Sequence, residues 1–365
     1  MAIASSGAVS LADFRTEFVG GSAAISLGDL YRGGSHIRAK AANNNGVNLA
    51  ASVPTSGTID FNDFYSTAKG FRKTLDSNDT NRNASSLFGD DYGVDYPKDI
   101  VINSGVEIGA TSTSNYALQA PSGLSGSLLI TNNGTISGAG GAANGGTGGD
   151  ACYFASSVTF INNGTIRAGG GGGGQGGGGG QGQTSSSGWG NTNTQYSGGS
   201  PTYYVMHYYM HHAYYFYSWN GQTVGDGATW GTPSTYTSGN TRYYPGGQQQ
   251  NHSGYRWFTI NRQQYVTTYN YHSGGSGGSG GVGQGYSQSA GSGSGGSGGG
   301  TNAGSGGTGG SGGSFGNSGS TGNSGGNGNH TNGSGGSGGG SAGRYINGIG
   351  NVSLTNNGTV QGGTA

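Results

Sequence analysis

The stretch that decides the fold is Gly274-Gly275-Ser276-Gly277-Gly278-Ser279-Gly280-Gly281, which lies in a glycine-rich block at residues 273–343. Its Gly-Gly-Ser triplets repeat every three residues, a period that fits neither an α-helix nor a pleated strand. Three residues per turn is the period of the extended left-handed helix of polyproline and collagen chains. Because the block contains no proline, packing against neighbouring segments has to impose that shape.

A flexible Gly/Ser linker is the alternative interpretation of this block. Short breaks at near-regular intervals argue against it, at residues 282–290, 301–303, 315–318 and 329–332. A lone rod of this kind has no internal hydrogen bonds. Rods without Cβ atoms can approach until their backbones bond each other, and each bond contributes about 0.5–1.5 kcal/mol net. We therefore predict a bundle of parallel and antiparallel rods joined by turns.

The composition excludes several classes of protein. The 365 residues include 88 glycines, only 8% are charged, and the formal net charge is zero, so no electrostatic argument favours a nucleic acid or an acidic membrane surface as partner. No apolar run approaches 18 residues and the first residues lack a basic and apolar leader, so we expect neither membrane insertion nor a secretory signal. The single cysteine, Cys152, is interpreted as a buried small hydrophobic residue.

Residues 1–70 contain three copies of a short frame. In each, a β-branched residue precedes Ser or Asp, an apolar residue follows, and an Asp comes three positions after the Ser or Asp. The first polar residue is placed to cap a helix, and the later Asp to complete a capping box. The pairs are Ser10 with Asp13, Ser26 with Asp29, and Asp60 with Asp63. We expect each copy to be a strand end followed by about two helical turns, giving a small α/β repeat domain in which these acids are caps and not catalysts.

A second repeat has strand character. Residues 71–98 are interpreted as a linker, because their first part is polar and charged. Each copy beyond them reads as a short strand, an Asn-Gly or Ser-Gly turn and a second short strand. The copies lie at residues 100–108, 129–136, 159–166 and 353–360. We predict a short β-solenoid-like platform at residues 99–167 and 346–365, completed by the fourth copy across a long insertion at residues 168–345.

The insertion carries an aromatic segment at residues 184–272. This segment holds 15 of the 23 tyrosines, all four tryptophans and no leucine, so an ordinary aliphatic core is not available to it. Tyr and Trp mixed with Ser, Gly and Asn is the composition of antibody-type binding loops. We predict receptor binding there, although many of these rings must also pack on each other. The candidate contact residues are Tyr203, Tyr204, His207, Tyr208, Tyr209, Tyr214, Tyr215, Tyr217, Trp219, Trp230, Tyr243, Tyr244, Tyr255, Trp257, Tyr265 and Tyr269.

Metal binding and catalysis are not favoured in this segment. His207 and His211 have the i, i+4 spacing of a helical metal site, but no Cys or Glu accompanies them and the pattern there is not helical. Asp226 is the only acid in residues 184–272, whereas a glycosidase needs two carboxylates. We therefore expect no cofactor, no metal and no enzymatic activity.

Glycine rods that alternate with aromatic segments resemble the distal tail-fibre adhesins of T-even-type bacteriophages. The resemblance rests on the Ile-Asn-Asn-Gly-Thr-Ile rungs that lead into glycine runs, and it covers about residues 100–365. Separately, the Ser-Gly-Ala-Val-Ser-Leu-Ala-Asp-Phe frame at residues 6–14 looks like the N-termini of phage tail-tip and fibre proteins. The N-terminal region is not that of the T-even adhesins, and the aromatic residues are concentrated in one insertion.

The resemblance implies a mostly β and irregular fold in which a polyglycine II helix bundle displays receptor-binding loops. It implies a virion adhesin that binds a host receptor, either an outer-membrane protein or a glycan, and that contacts other phage tail proteins through residues 1–70. Such a protein is made in the host cytoplasm and released by lysis. The alternative is a purely structural glycine-rich protein, such as a filament-forming or ice-binding one, which would not need the aromatic cluster.

Overall fold

The computed structural model describes residues 2–191, 203–209, 212–219, 222–228, 236–252 and 255–365. The chain divides into two compact units, one formed by Met1–Gly182 with Ser273–Ala365 and the other by Gln183–His272. Most regular structure in the described residues is β-strand, and helices are few and short. No helix in this part of the chain is long and apolar enough to cross a bilayer.

The N-terminal region is built from three capped turns. The capping boxes are confirmed: the N–H of Ser10 donates to Asp13 Oδ2 at 2.7 Å, and the other two copies repeat this bond. The expected strand ends are wrong for all three copies, since no strand leads into any of the caps. The expected length of two turns is wrong for the second and third copies, because Tyr31 and Tyr65 leave the helical conformation directly after one turn. The helical segments are α1 Leu11–Phe14, continued by a π-helical turn at Arg15–Val19, and 3₁₀ turns at Leu27–Leu30 and Phe61–Phe64.

Residues 71–365 of the first unit contain a three-sided parallel β-solenoid. One strand, β1 Val47–Asn48, comes from the N-terminal region and pairs antiparallel with the first coil. Three parallel sheets form the sides, each built from one strand of every coil. The first three coils are β2 Phe71–Leu75, β3 Asp79–Thr80 and β4 Arg82–Asn83; β5 Lys98–Ile102, β6 Glu107–Gly109 and β7 Leu118–Ala120; and β8 Leu128–Asn132, β9 Thr135–Ser137 and β10 Cys152–Phe154.

The fourth coil is interrupted. It starts with β11 Val158–Asn162 and β12 Thr165–Arg167, and the chain then leaves for 176 residues before a third strand closes the coil. The insertion therefore lies within one coil, between its second and third sides, and not between two coils. Between β12 and that third strand come β13 Gly182–Asn191, β14 Tyr203–Tyr209, β15 His212–Trp219, β16 Gln222–Ala228, β17 Tyr236–Ser238, β18 Thr241–His252 and β19 Tyr255–His272. The fourth coil ends with β20 Arg344–Asn347, and the fifth is β21 Val352–Asn356, β22 Thr359–Gln361 and β23 Gly363–Thr364.

Residues 71–98, interpreted above as a linker, form the first coil. Phe71 and Leu75 are buried and β2 pairs in parallel with β5, while Arg72 on the same strand points outward and gives the segment its polar composition. The remaining helical segments are α2 Ala84–Phe88 and 3₁₀ turns at Gly89–Asp91 and Ile349–Asn351.

Two asparagine ladders explain the repeated Asn-Asn-Gly corner. In the inner ladder, Asn132 Nδ2 donates to Asn162 Oδ1 at 2.8 Å, and Asn162 Nδ2 donates to Asn356 Oδ1 at 2.7 Å. Asn132 and Asn162 are fully buried. The outer ladder runs through the next residue of each corner. The following glycine is required by close stacking: a Cβ on Gly164 would lie 2.0 Å from the Gly134 carbonyl oxygen.

The glycine segments form a hydrogen-bonded array around residues 169–181. Gly173 donates to Gly281 at 2.8 Å, and three residues later the next donor bonds the next triplet of the same neighbour. The central segment bonds five others, which are residues 139–149, 274–284, 304–313, 317–328 and 333–343.

The central segment is all glycine where its neighbours pack most tightly. A Cβ on Gly172 would lie 1.8 Å, and on Gly173 2.0 Å, from a neighbouring carbonyl oxygen, so residues 169–174 are all glycine. Beyond residue 174 one side of the segment opens, because the 139–149 neighbour has ended. Gln175 and Gln181 point out there, and at Gly178 an added Cβ would meet nothing closer than 3.6 Å.

Two turns of the array rest on the solenoid. Arg167 of β12 donates to Glu107 Oε1 at 2.8 Å, and its guanidinium carbon lies 3.9 Å from the ring centroid of Phe315. The ring of Tyr286, in another turn, covers Gly109, where an added Cβ would lie 2.0 Å from it. These contacts fix the glycine array on one side of the solenoid.

We expect the loss of stability on replacing a glycine to depend on how tightly that position is packed. Gly173→Ala should lower the free energy of unfolding by at least about 2 kcal/mol, because its Cβ overlaps a backbone oxygen that cannot move without breaking other bonds. Gly178→Ala is the matched control and should leave thermal unfolding almost unchanged. Equal melting temperatures for the two variants would contradict the close packing of this segment.

A buried carboxylate joins the N-terminal region to the solenoid. Asp91 is fully buried and accepts bonds from Arg38 Nε at 3.1 Å, the Ala41 N–H at 2.8 Å and Asn44 Nδ2 at 2.8 Å. Burial raises the pKa of Asp91, but these three bonds outweigh it and the pKa lies below its ordinary value. The charged form therefore stabilises the fold.

We predict a pH-dependent effect of Asp91→Asn. A lowered folded-state pKa gives stability that is complete above the ordinary aspartate pKa of about 4 and is lost as the pH falls through the folded-state value. The variant should lose about 2–3 kcal/mol at pH 7, and its deficit in chemical denaturation should shrink at pH 3. Asp90→Asn, at an exposed neighbour, is the control, and an equal Asp91→Asn deficit at both pH values would contradict the assignment.

Candidate functional site

The second unit is a mainly antiparallel sheet organised by the long strand β19. Strands β14 and β18 pair with it along their lengths, β15 and β16 continue the sheet beyond β14, and β13 also pairs with β19. Side chains of this unit are described at residues 183–190, 237, 239–242 and 263–272. Elsewhere in its strands the backbone register is what places each residue.

The sheet gathers most of the predicted contact residues. On β14 lie Tyr203, Tyr204, His207, Tyr208 and Tyr209; on β15 lie Tyr214, Tyr215, Tyr217 and Trp219; on β18 lie Tyr243 and Tyr244; and on β19 lie Tyr255, Trp257, Tyr265 and Tyr269. Trp230 lies outside the described residues, as does His211. Aromatic positions thus come from four strands of one sheet.

The register aligns several of these positions. His207 pairs with Tyr214 on one side and Tyr255 on the other, and two residues along β14, Val205 pairs with Trp257. Because successive residues of a strand alternate between the two faces of a sheet, these positions share one face. Tyr204 and Tyr208, each one residue from a position of that set, lie on the opposite face, so the predicted contact positions are divided between the two faces of the sheet.

An aromatic contact joins β13 to β19. Trp189 and Tyr265 pack edge to face with ring centroids 5.3 Å apart. Arg242 of β18 lies over the Trp189 ring at 4.9 Å, and its Nε donates to Gln263 Oε1 at 2.6 Å. Cation–π and edge-to-face contacts each contribute about 0.5–1.5 kcal/mol, so this cluster orders the two strands without an aliphatic core.

Beyond that cluster, tyrosines stand exposed along β19. Tyr265, Tyr269 and Tyr271 are 46%, 54% and 56% exposed, and their spacing of four and two residues places these positions on one face of the strand. On the partner strand, Ser187 bonds Thr267 at 2.8 Å and Thr184 bonds His272 Nε2 at 3.0 Å. Polar cross-strand bonds therefore hold the ribbon while its aromatic rings face solvent.

Sequence reasoning omitted three residues of this region from the contact set. Tyr271 continues the exposed row, and Trp189 and Arg242 support Tyr265. Tyr271 could have been included from its two-residue spacing to Tyr269. Trp189 stands between two glycines and 76 residues before Tyr265, so only the pairing of β13 with β19 brings it into the site.

The part of the chain that the structure describes contains no candidate metal cluster, and its cysteine is buried. Within it, no group of three or more His, Cys, Asp or Glu side chains could hold a metal ion. Cys152 is buried in the solenoid core, where burial strongly raises the pKa of its thiol, so it is unsuited to act as a nucleophile.

Comparison with known proteins adds the family. The family model of the phage tail fibre adhesin Gp38 matches residues 70–264, more than half of the chain. The chain belongs to the Gp38 family of phage tail fibre adhesins. The match includes the first three coils of the solenoid and the start of the fourth, the central glycine segment and most of the aromatic sheet.

A solved structure is also similar. It is the gp37-gp38 adhesin tip complex of the long tail fibre of bacteriophage S16, with a TM-score of 0.34 and 15% sequence identity over 87% of this chain and 90% of the matched chain. No curated protein matches the chain. The Gp38 family description places its members in the phage tail fibre, and it describes an adhesin.

Proposed function

We propose that this Gp38-family adhesin recognises a host cell-surface receptor through aromatic residues of the 184–272 insertion. In this proposal the glycine segments are a polyglycine II helix bundle that carries the insertion, and residues 1–70 attach the chain to other phage tail proteins. The protein acts by binding and has no catalytic step. It is made in the host cytoplasm, assembled into the virion and released by lysis.

The observation that carries the proposal is the exposed tyrosine row of β19. The row extends beyond the Trp189–Tyr265 contact that holds the ribbon, and Tyr269 and Tyr271 are each more than half exposed. Tyrosine gives a large contact area with two rotatable bonds and a polar end. Such a row suits contact with either an outer-membrane protein or the sugar rings of a glycan.

The polyglycine II assignment is supported by the spacing of hydrogen bonds. Along the central segment, donors at residues 170, 173, 176 and 179 bond one neighbour, and donors at 171, 174, 177 and 180 bond another. A three-residue advance on each neighbour is the signature of a three-fold extended helix. A bundle of this kind gives a stiff support, and a stiff support reduces the entropy lost on binding.

We expect the exposed tyrosines to contribute unequally but strongly to adsorption. Tyr269→Ala and Tyr271→Ala should each slow phage adsorption to host cells, with a loss of about 2 kcal/mol or more in receptor affinity if the residue is a hot spot. Val266→Ala, on the opposite face of β19 and 37% exposed, is the matched control. Normal adsorption of the double tyrosine variant would exclude this row as the contact surface.

Exchange of the whole insertion should transfer host range. A chimera that receives residues 184–272 from a related phage should adsorb to the donor's host, because the solenoid and glycine segments do not depend on that sequence. Virion incorporation, measured on purified particles, serves as the control for folding. A chimera that is incorporated normally but still adsorbs only to the original host would show that recognition lies elsewhere.

A further inference from the structure

Side-chain contacts between β13 and β19 give the register of their two-stranded ribbon. Trp189 packs on Tyr265, and two residues away along each strand Ser187 bonds Thr267 at 2.8 Å. The residue numbers fall along one strand as they rise along the other, so the two strands are antiparallel. Residues opposite each other in such a pair share one face of the sheet, and these two pairs therefore lie on the same face.

The same face continues toward the end of β19. In this register Ser185 lies opposite Tyr269, and Gln183 lies opposite Tyr271. Tyr269 and Tyr271 are more than half exposed, and Ser185 is exposed as well. At about 3.3 Å per residue, the strand covers about 20 Å from Tyr265 to Tyr271. We call this row of three tyrosines, with the hydroxyl groups beside and between them, the tyrosine track.

The longest gap in the tyrosine track has a floor of hydroxyl groups. Tyr265 and Tyr269 are four residues apart, about 13 Å along the strand. Between them on this face lie Thr267 and, across from it, Ser187. Both side chains are short, so the two rings bound a notch above them. A hydroxyl group both donates and accepts hydrogen bonds, so after their mutual bond the two oxygens retain one donor and further lone pairs for a ligand.

The ribbon carries no Asp, Glu, Lys or Arg. In residues 183–190 and 263–272 the side chains are aromatic, hydroxyl or amide, apart from two glycines, one valine and one histidine. Arg242 lies beside the ribbon, where it contacts Trp189 and Gln263. An ionised ligand group on the tyrosine track would lose water without gaining a charged partner. The charge pattern therefore favours a neutral ligand.

A saccharide fits this surface better than a protein loop does. A sugar ring has an apolar C–H face, which packs on an aromatic ring, and a rim of hydroxyl groups, which exchange hydrogen bonds with serine and threonine. The cores of protein interfaces are depleted in serine, whereas here serine hydroxyls lie beside and between the rings. A straight row of rings also matches an extended chain of several sugars, one after another along the strand.

We propose that the tyrosine track binds a neutral saccharide chain of the host surface, which lies along β19. The inference rests on the proposed receptor recognition through residues 184–272 and names the class of its ligand. The three tyrosines stack on sugars of the chain, and Thr267 with Ser187 bonds the hydroxyl groups of the sugar held in the notch. Lipopolysaccharide and capsule can both supply such a chain, and the experiment below separates these two sources.

The test uses the full-length chain and two probes from the host strain of the phage. The first is the polysaccharide released from lipopolysaccharide by mild acid, and the second is purified capsular polysaccharide. Biolayer interferometry should show binding to one of them and thereby identify the source. Raising the salt from about 0.05 M to about 0.5 M should change the Kd less than about twofold, because salt screens interactions between charges and the tyrosine track has none.

Variants of the tyrosine track locate the contact. Tyr269→Ala and Tyr271→Ala should each weaken polysaccharide binding about tenfold or more, as truncations at aromatic hot spots do. Tyr269→Phe keeps the ring and should keep most of the affinity. Thr267→Val removes one hydroxyl and should weaken binding about fivefold. Thr268→Val, the same change on the opposite face of β19, is the matched control and should bind normally, and melting curves identify any variant that is misfolded.

The outcomes separate this inference from the proposed function. Absence of binding to both polysaccharides would overturn the saccharide assignment. Binding to host outer-membrane proteins in glycan-free liposomes, weakened by Tyr269→Ala, would then leave recognition through the insertion in place. Polysaccharide binding that is unchanged in the folded tyrosine variants, or that falls steeply with salt, would also overturn the inference. Normal adsorption of the Tyr269 and Tyr271 double variant to host cells would count against both proposals.

Discussion

The structure depends on backbone hydrogen bonds between segments that are too close for side chains. Around residues 169–174 the N–H and C=O groups bond neighbouring segments, and the space where Cβ atoms would lie is filled by carbonyl oxygens. Each bond adds only about 0.5–1.5 kcal/mol net, and ordering a glycine is entropically unfavourable. The array is therefore stable only when many segments assemble, because the hydrogen bonds between two segments alone would not offset that entropy loss.

The solenoid supplies the starting alignment for this assembly. Its coils are held together by parallel sheets and by asparagine ladders. The ladders fix the same register as the sheets, since each side-chain amide bonds its equivalent in the next coil. The glycine segments leave from, and return to, sides of these coils. Arg167 and Phe315 then join a turn of the array to the β6–β9–β12–β22 sheet, so the alignment of the coils is passed on to the glycine segments.

Much of this architecture could be predicted from the sequence, because its elements are repeated. The Gly-Gly-Ser triplets indicated extended segments that bond to neighbours, and the Asn-Asn-Gly corners indicated short strands on either side. The first coil was not predicted, because it lacks the Asn-Gly corner. Its exposed Arg72 also makes the segment look polar, although Phe71 and Leu75 of the same strand are buried. The Trp189 contact could not be predicted, since it depends on which distant strand pairs with β13. The hydrogen bonds from Tyr31 to Gly57 and from Tyr65 to Gly7 could not be predicted either, because each joins parts of the N-terminal region that are far apart in sequence.

The chain separates residues that must be conserved in size from residues that can change. Many positions of the glycine segments accept only glycine, because a Cβ atom there would overlap a neighbouring carbonyl oxygen. The insertion, by contrast, begins and ends on adjacent strands. Its first and last residues are close, since Thr184 bonds His272 at 3.0 Å, and the glycine segments on either side, at Gly182 and Ser273, both contact the turn at residues 300–303. An insertion whose ends meet can change length and sequence without moving its support. The sequence of the insertion can therefore vary while the hydrogen-bonded array keeps its own constraints.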